Sequence, residues 1–271
     1  YKKMKKFVSE PARQVPVRAE VDVLVAGGGP SGIMAAQAAS DGKKKVMLIE
    51  SRGFLGGNLT IGLPILAFLG PKKNHIIKGY PQKFIDRLAE RGAASGHKPC
   101  HLHTSFTMVD CEEVKNLAFE VMEECGVDVL LYAFIVDAIV EDGVVKGVII
   151  ESKAGREAIL AKTVIDCTGD AKVAYMAGEE MQIYDENFAS LWCYYAAYGG
   201  KENEGNGYNI FSANYKEERK YDGTKAEDLN ELMKTVHKKL LDSTMLLRER
   251  ENNKDLMPVA MPSIPPIRMT R

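Results

Sequence analysis

Cysteine is sparse in this chain, and its five residues (Cys100, Cys111, Cys125, Cys167 and Cys193) are scattered with no C-x-x-C spacing. That pattern argues against a zinc site, a disulfide framework and a cysteine-held iron–sulfur cluster, so no metal is expected, and it fits a reducing, cytoplasmic setting. Long apolar runs are missing too. No stretch reaches the roughly 18–20 residues that a membrane-spanning helix needs. Lys2 to Lys6 lead into the polar Ser9-Glu10-Pro11-Ala12-Arg13 and not into a signal-peptide core. Neither sign of charge is in excess: 36 basic side chains face 37 acidic ones, with a pI near 6.6. The chain as a whole therefore has no field to draw nucleic acid or an anionic membrane. The lysine-rich opening reads as a solvated tail. No internal repeat is visible, and a start on Tyr1 suggests a preceding segment.

With 271 residues, 45% of them hydrophobic, the chain can build one large domain or two smaller ones. Residues 1–20 read as an irregular lead-in with prolines at Pro11 and Pro16. Val21 to Ala26 is a short β-branched run suited to a buried parallel strand. Gly27 to Gly29 break it, small and apolar residues from Ser31 to Ser40 favour a closely packed helix, and Lys45 to Glu50 form a second strand. Helices are expected over Pro81–Arg91 and Cys111–Cys125, the latter capped by Asp110 with Glu113 placed to close a capping box. Strands follow over 127–132, 134–141, 144–151 and 158–165, with Asp142-Gly143 as a hairpin turn. From Glu179 the character changes. Residues 201–224 look like a polar, glycine-bearing excursion, and an amphipathic helix covers Ala226–Glu249. The end, marked by Pro258, Pro262, Pro265 and Pro266, shows no closing element.

Gly27-Gly28-Gly29-Pro30-Ser31-Gly32 matches G-x-G-x-x-G, a weak signal alone. Its context strengthens it: a strand before, a small-residue helix after, and an acidic residue, Glu50, ending the next strand about twenty residues on. Gly27 suits the tight turn, Gly29 the approach of a diphosphate, and Gly32 the packing of helix on sheet. The helix start, with Pro30 and Ser31, offers free N–H groups and a positive dipole end to phosphates. Glu50 can accept from both hydroxyls of a ribose and would repel a 2′-phosphate. The motif identifies an ADP moiety, not which dinucleotide carries it.

Ser51-Arg52 and the loop Phe54-Leu55-Gly56-Gly57-Asn58-Leu59-Thr60, read after Glu50, resemble the FAD-dependent oxidoreductases of the glutathione-reductase-like flavoprotein superfamily, and more narrowly a large bacterial family of them. Asp166-Cys167-Thr168-Gly169-Asp170 is similar to the T-G-D element that closes the FAD domain there. Residues 126–147, with Ile135, resemble the family's strand whose backbone lies beside the adenine. This resemblance covers roughly residues 20 to 180. It implies FAD as cofactor, held by Gly27, Gly29, Pro30, Ser31, Gly32, Glu50, Ser51, Arg52, Gly56, Gly57, Asn58, Thr60, Ile135, Thr168, Gly169 and Asp170. The implied architecture is α/β: a Rossmann-like FAD-binding domain over 21–178, with a parallel sheet and an inserted β-meander, then part of an α+β substrate or cap domain over 179–271. The superfamily's C-terminal FAD element is not found before Arg271, so the chain is expected to lack that part.

The catalytic groups are far less defined. His101 and His103, two apart like Lys98 and Cys100, would share one face of an extended strand, as a proton relay requires; their alternative is a surface or structural role. Trp192, Tyr194, Tyr195 and Tyr198 read as core, and Arg268 and Arg271 are candidates to orient a carboxylate. Three functions remain open: an enzyme moving hydride between flavin N5 and a small organic substrate, a flavoprotein subunit passing electrons to a protein partner, and a non-enzymatic NAD-binding module. A homo-oligomer is compatible with each.

Overall fold

The computed structural model describes residues 7–61, 64–101, 103–183, 187–197, 213–260 and 268–270. In chain order the first part holds β1 (Val17–Ala26), α1 (Pro30–Ser40), β2 (Val46–Ile49), β3 (Ile65–Leu66), α2 (Tyr80–Glu90), β4 (Lys98–Cys100), β5 (Thr104–Thr107), α3 (Cys111–Glu124), β6 (Asp128–Leu130), β7 (Phe134–Glu141), β8 (Val144–Ser152), β9 (Gly155–Asp166) and α4 (Lys172–Met176). Six strands form one sheet in the order β6-β2-β1-β9-β8-β7. β6, β2, β1 and β9 run parallel, and β9, β8 and β7 form the antiparallel meander. The long β9 belongs to both halves.

Alternation along the central strands explains their unbroken apolar sequences. Val25, Val46 and Leu48 face a core shared with α1, α2 and α3, whereas Leu24, Ala26, Met47 and Ile49 face a second core with Ile135, Ile150, Ile159 and Val173. Each fully buried Val or Leu contributes roughly 2 kcal/mol. Both faces are covered, so both parities must be apolar.

The structure departs from the sequence expectation in places, each with a local reason. Val17 to Glu20, expected in the lead-in, are strand, because their main chain pairs with residues 158–160 of β9 whatever their side chains. Asp110 caps α3 as expected, accepting from the amides of Glu112 and Glu113. The capping box stays half-made, since the Asp110 amide donates to the Ala93 carbonyl and the Glu113 carboxylate faces Arg91. Asp142 and Gly143 both have positive φ, the geometry of a tight hairpin turn.

The second part is antiparallel. It holds β10 (Met181–Ile183), β11 (Asn187–Ala197), β12 (Ala213–Tyr221), α5 (Ala226–Arg250), β13 (Leu256–Ala260) and β14 (Arg268–Thr270), with strand orders β12-β11-β13 and β10-β14. β12 falls inside the stretch expected as an excursion, and at the proline-rich end, where no element was expected, β13 pairs with β11 and β14 with β10. Polar and proline-bearing strands show little apolar alternation, which hid them. Trp192, Tyr194 and Tyr195 lie on β11 and Arg268 on β14; Tyr198, residues 201–212, Pro262, Pro265, Pro266 and Arg271 lie outside the described residues.

A polar knot joins α2 to the small β3-β5-β4 sheet. Gln82 Nε2 donates to Asp86 Oδ1 at 2.8 Å, so its Oε1 faces two imidazoles, His97 Nε2 at 3.0 Å and His75 Nδ1 at 3.3 Å. His97 Nδ1 is then left to accept from the Thr107 hydroxyl, 2.6 Å away, and the ring stacks on Phe68. Burial pushes the His97 pKa below its ordinary 6.5, His75 adds to the shift, and Asp86 opposes it. The unfolded chain therefore binds this proton more readily than the folded one. Stability from this group is complete above about pH 6.5 and declines as pH falls toward the lowered folded value. Urea unfolding should show a midpoint that drops from neutral pH to about pH 5. His97→Phe should flatten that slope, and an unchanged slope would assign it elsewhere.

Candidate functional site

The carboxyl ends of β1, β2 and β9 and the start of β7 border a cleft of about 740 Å³. Open α/β sheets take their ligands in this position, outside the carboxyl ends of parallel strands. A smaller depression of about 480 Å³ near the opposite ends of the strands is lined by Glu20, Asp22, Lys45 and Lys162 among others. There Lys162 Nζ donates to Asp22 Oδ1 at 2.6 Å, and Lys45 Nζ donates to the Glu20 main-chain carbonyl at 2.8 Å.

The turn after β1 is built for close approach. Gly27 has φ of +106° and lies against the Cys167 carbonyl, so a side chain there would be both strained and obstructed. A Cβ on Gly32 would run into the Gly27 carbonyl oxygen, which shows how tightly the first turn of α1 sits on the strand end. Gly29 is the reverse case. It caps α1 in an extended conformation, and a Cβ on it would meet nothing within 4 Å. Pro30 takes the first helical position and Ser31 follows, both lining the cleft.

Glu50 stands at the end of β2 with its carboxylate turned into this turn. Oε2 accepts from the Gly28 amide at 2.8 Å, and Oε1 accepts from the Arg52 amide at 2.8 Å and the Ser51 hydroxyl at 2.9 Å. The pairs on Oε1 are taken; Oε2 keeps room for one more donor. The second glycine loop is tied to the first, because the Gly56 amide donates to the Gly28 carbonyl at 2.8 Å. Gly57 and Asn58 reach the cleft, with a Cβ on Gly57 2.9 Å from the Gly29 Cα. Thr60 does not line the cleft; its hydroxyl donates to the Gly57 carbonyl at 2.7 Å and fastens the loop from behind.

On the third side Asp166 organises the turn that carries Thr168, Gly169 and Asp170. Its Oδ1 accepts from the Thr168 amide and hydroxyl, and its Oδ2 from the amides of Val173 and Ala174. One carboxylate thus ends the strand, shapes the turn and caps α4. Ile135 borders the cleft but is only 6% exposed, while its neighbour Phe134 is 55% exposed at the same wall.

His101 and His103 are not brought here. They lie in the short turn between β4 and β5, not on an extended strand, because Cys100 pairs with Thr104 and forces a tight reversal. Several lining residues were missed from sequence. Phe134 and Cys167 lie inside stretches that carry the resemblance but were not singled out, and Lys172 belongs to no motif. Gly28, at a variable position of the fingerprint, does not line the cleft, yet a Cβ there would crowd Leu55 and Glu50. Burial raises the Cys167 thiol pKa, a hydrogen bond with Ser31 lowers it, and Asp166 adds to the rise, so the thiol stays protonated at neutral pH.

Comparison with known proteins places this geometry in context. A family profile described as FAD dependent oxidoreductase matches residues 22–255. The chain is 30% identical over 188 residues to a thiamine thiazole synthase of Methanococcus aeolicus, the match covering 64% of this chain and 65% of that protein. It is 27% identical over 183 residues to a thiamine thiazole synthase of Aeropyrum pernix, covering 63% of each. The chain thus spans just under two thirds of the length of these curated relatives. Among solved structures, the myxobacterial chondrochloren halogenase CndH, described as a variant of FAD-dependent halogenases, aligns with a TM-score of 0.56 at 15% identity, over 89% of this chain and 61% of that one. At that identity the likeness is one of fold.

Asp166→Ala would leave four donors without their acceptor. We expect it to lower stability by about 2–3 kcal/mol and to speed amide exchange at Thr168, Val173 and Ala174. Exchange at wild-type rates would show that the turn is held by other contacts.

Proposed function

The chain belongs to the FAD dependent oxidoreductase family, and from that premise we propose that its cleft holds the ADP part of FAD while the protein oxidises or reduces a small organic substrate by hydride transfer at flavin N5. FAD is the family's cofactor, and when bound it supplies the electron chemistry. The observation that carries the reading is the room over Gly29, beside a carboxylate that retains one acceptor position. A diphosphate needs an unobstructed helix start, and an adenosine ribose needs an acceptor next to it. The residues present fit both needs.

In this reading each wall has its task. Gly27, Gly29, Pro30, Ser31 and Gly32 form the diphosphate cradle. Glu50 takes a ribose hydroxyl on Oε2, and Ser51, Arg52 and the main chain at Ile135 border the adenine. Gly56, Gly57, Asn58 and Thr60 shape the loop leading toward the flavin. Thr168, Gly169 and Asp170 close the site, with Asp166 as the positioning residue behind them. We assign residues 21–178 to cofactor binding and residues 179–271 to part of a substrate-side domain. An NAD-binding module does not account for the family match, which runs through residue 255.

Gly29 and Gly32 provide a paired test. Gly29→Val fits the ligand-free backbone and should change stability by no more than about 0.5 kcal/mol, yet should sharply reduce flavin content of the purified protein. Gly32→Ala collides with the main chain and should cost about 1–3 kcal/mol. Wild-type flavin occupancy in Gly29→Val would remove the cradle assignment. Reduced flavin that reoxidises with small acceptors in the absence of any protein supports the enzyme reading, and reoxidation only by a protein supports electron transfer.

A further inference from the structure

Charge is balanced over the chain but not over its parts. Residues 69–103 carry seven basic side chains against two acidic ones, together with four of the five histidines, in a chain of net charge −1. Arg87 and Arg91 are engaged by the glutamates of α3. The five lysines are not. Lys72, Lys73, Lys78, Lys83 and Lys98 are all exposed, and none has a carboxylate partner among the described residues. Lys83 has only the Tyr80 ring beneath it, at 5.6 Å.

These lysines belong to three segments gathered by the polar knot, through His75 in the loop, Gln82 in α2 and His97 ahead of β4. The loop is ordered by its own main chain. The Lys73 amide donates to the Gly70 carbonyl, the Gly70 amide to the Asn74 carbonyl, and the Ile76 amide to the Phe68 carbonyl, at 2.8, 2.8 and 3.0 Å. Every residue from 71 to 79 is exposed, and among the lysines the loop holds Ile76 at 52% and Ile77 at 38% exposure.

We propose that this loop, with the lysines around it, is a docking surface for an anionic lipid bilayer. The association proposed is through this surface; among the described residues no helix is long and apolar enough to cross a membrane. Flexible ammonium groups attract anionic headgroups without a fixed geometry, while two exposed isoleucines of the loop can enter the boundary between headgroups and acyl chains. The composition favours lipid over macromolecular partners of other kinds. Protein interfaces are depleted in lysine and enriched in arginine and aromatic residues, and a nucleic-acid backbone is held through charge, which leaves the two exposed isoleucines without a role. Here the arginines are already bound to glutamates, and the one nearby tyrosine lies under a lysine. This inference is independent of the substrate and uses no residue of the cofactor cleft.

Flotation of the flavin-loaded protein with vesicles tests it. Binding is expected to phosphatidylcholine vesicles containing a minor share of phosphatidylglycerol, but not to phosphatidylcholine alone, and should weaken as salt rises. Each lysine near the surface contributes about fivefold to partitioning, so Lys72→Glu with Lys73→Glu should reduce it at least about 25-fold. Ile76→Ser with Ile77→Ser should remove the binding that survives high salt. Lys153→Glu, in the turn between β8 and β9, should float like wild type, and all variants should keep their flavin. Failure to float with anionic vesicles, equal flotation with neutral ones, or wild-type flotation of the double glutamate variant would overturn the proposal. Retention by DNA or by an acidic protein with vesicles ignored would overturn it as well.

Discussion

The amide of Gly28 donates to Glu50 and its carbonyl accepts from Gly56, both at 2.8 Å. A single residue in the turn after β1 therefore ties the end of β2 and the second glycine loop to the helix start. A main-chain group near a ligand site cannot be left unpaired without cost, and here a carboxylate supplies the acceptor that no neighbouring strand can offer. Asp166 does the same for the turn after β9. The cleft is the space between these two arrangements, and its openness at Gly29 follows from where they draw the chain.

The motif region was readable because its residue types are forced. A strand end meeting a helix start at this distance admits no Cβ on Gly27 or Gly32, so the glycines stand out in any window. Asp110 and Asp142-Gly143 were readable for a similar reason, since few residues cap a helix with a side chain or accept two consecutive positive φ values. The rest of the site depends on contacts between distant segments. Phe134 and Ile135 both border the cleft but differ in exposure, and only the pairing of β7 with β8 decides which of them is buried. Lys172 and Cys167 enter it because Asp166 draws four donors round itself, and no local pattern announces that.

The histidines illustrate the same limit. Spacing drew attention to His101 and His103, two residues apart, whereas the structure brings together His75 and His97, which are 22 positions apart and joined through a glutamine on a third segment. A spacing rule assumes one continuous element, and the hairpin turn between β4 and β5 breaks that assumption. β12, β13 and β14 escaped for a related reason. Their order comes from ladder bonds to β11 and β10, which any non-proline backbone can make, and not from an apolar face that a window could detect.

β9 joins the parallel half of the sheet to the meander, and its partner β1 lies some 140 residues earlier in the chain. On a ribosome the first strand therefore emerges long before its second neighbour exists. Val21, Leu24 and Ala26 have an incomplete floor until residues 155–166 have been synthesised, so the glycine turn cannot reach its final setting against Cys167 while the chain is shorter than that. The order of synthesis thus delays the nucleotide pocket, encoded at one end, until the last strand of its sheet arrives.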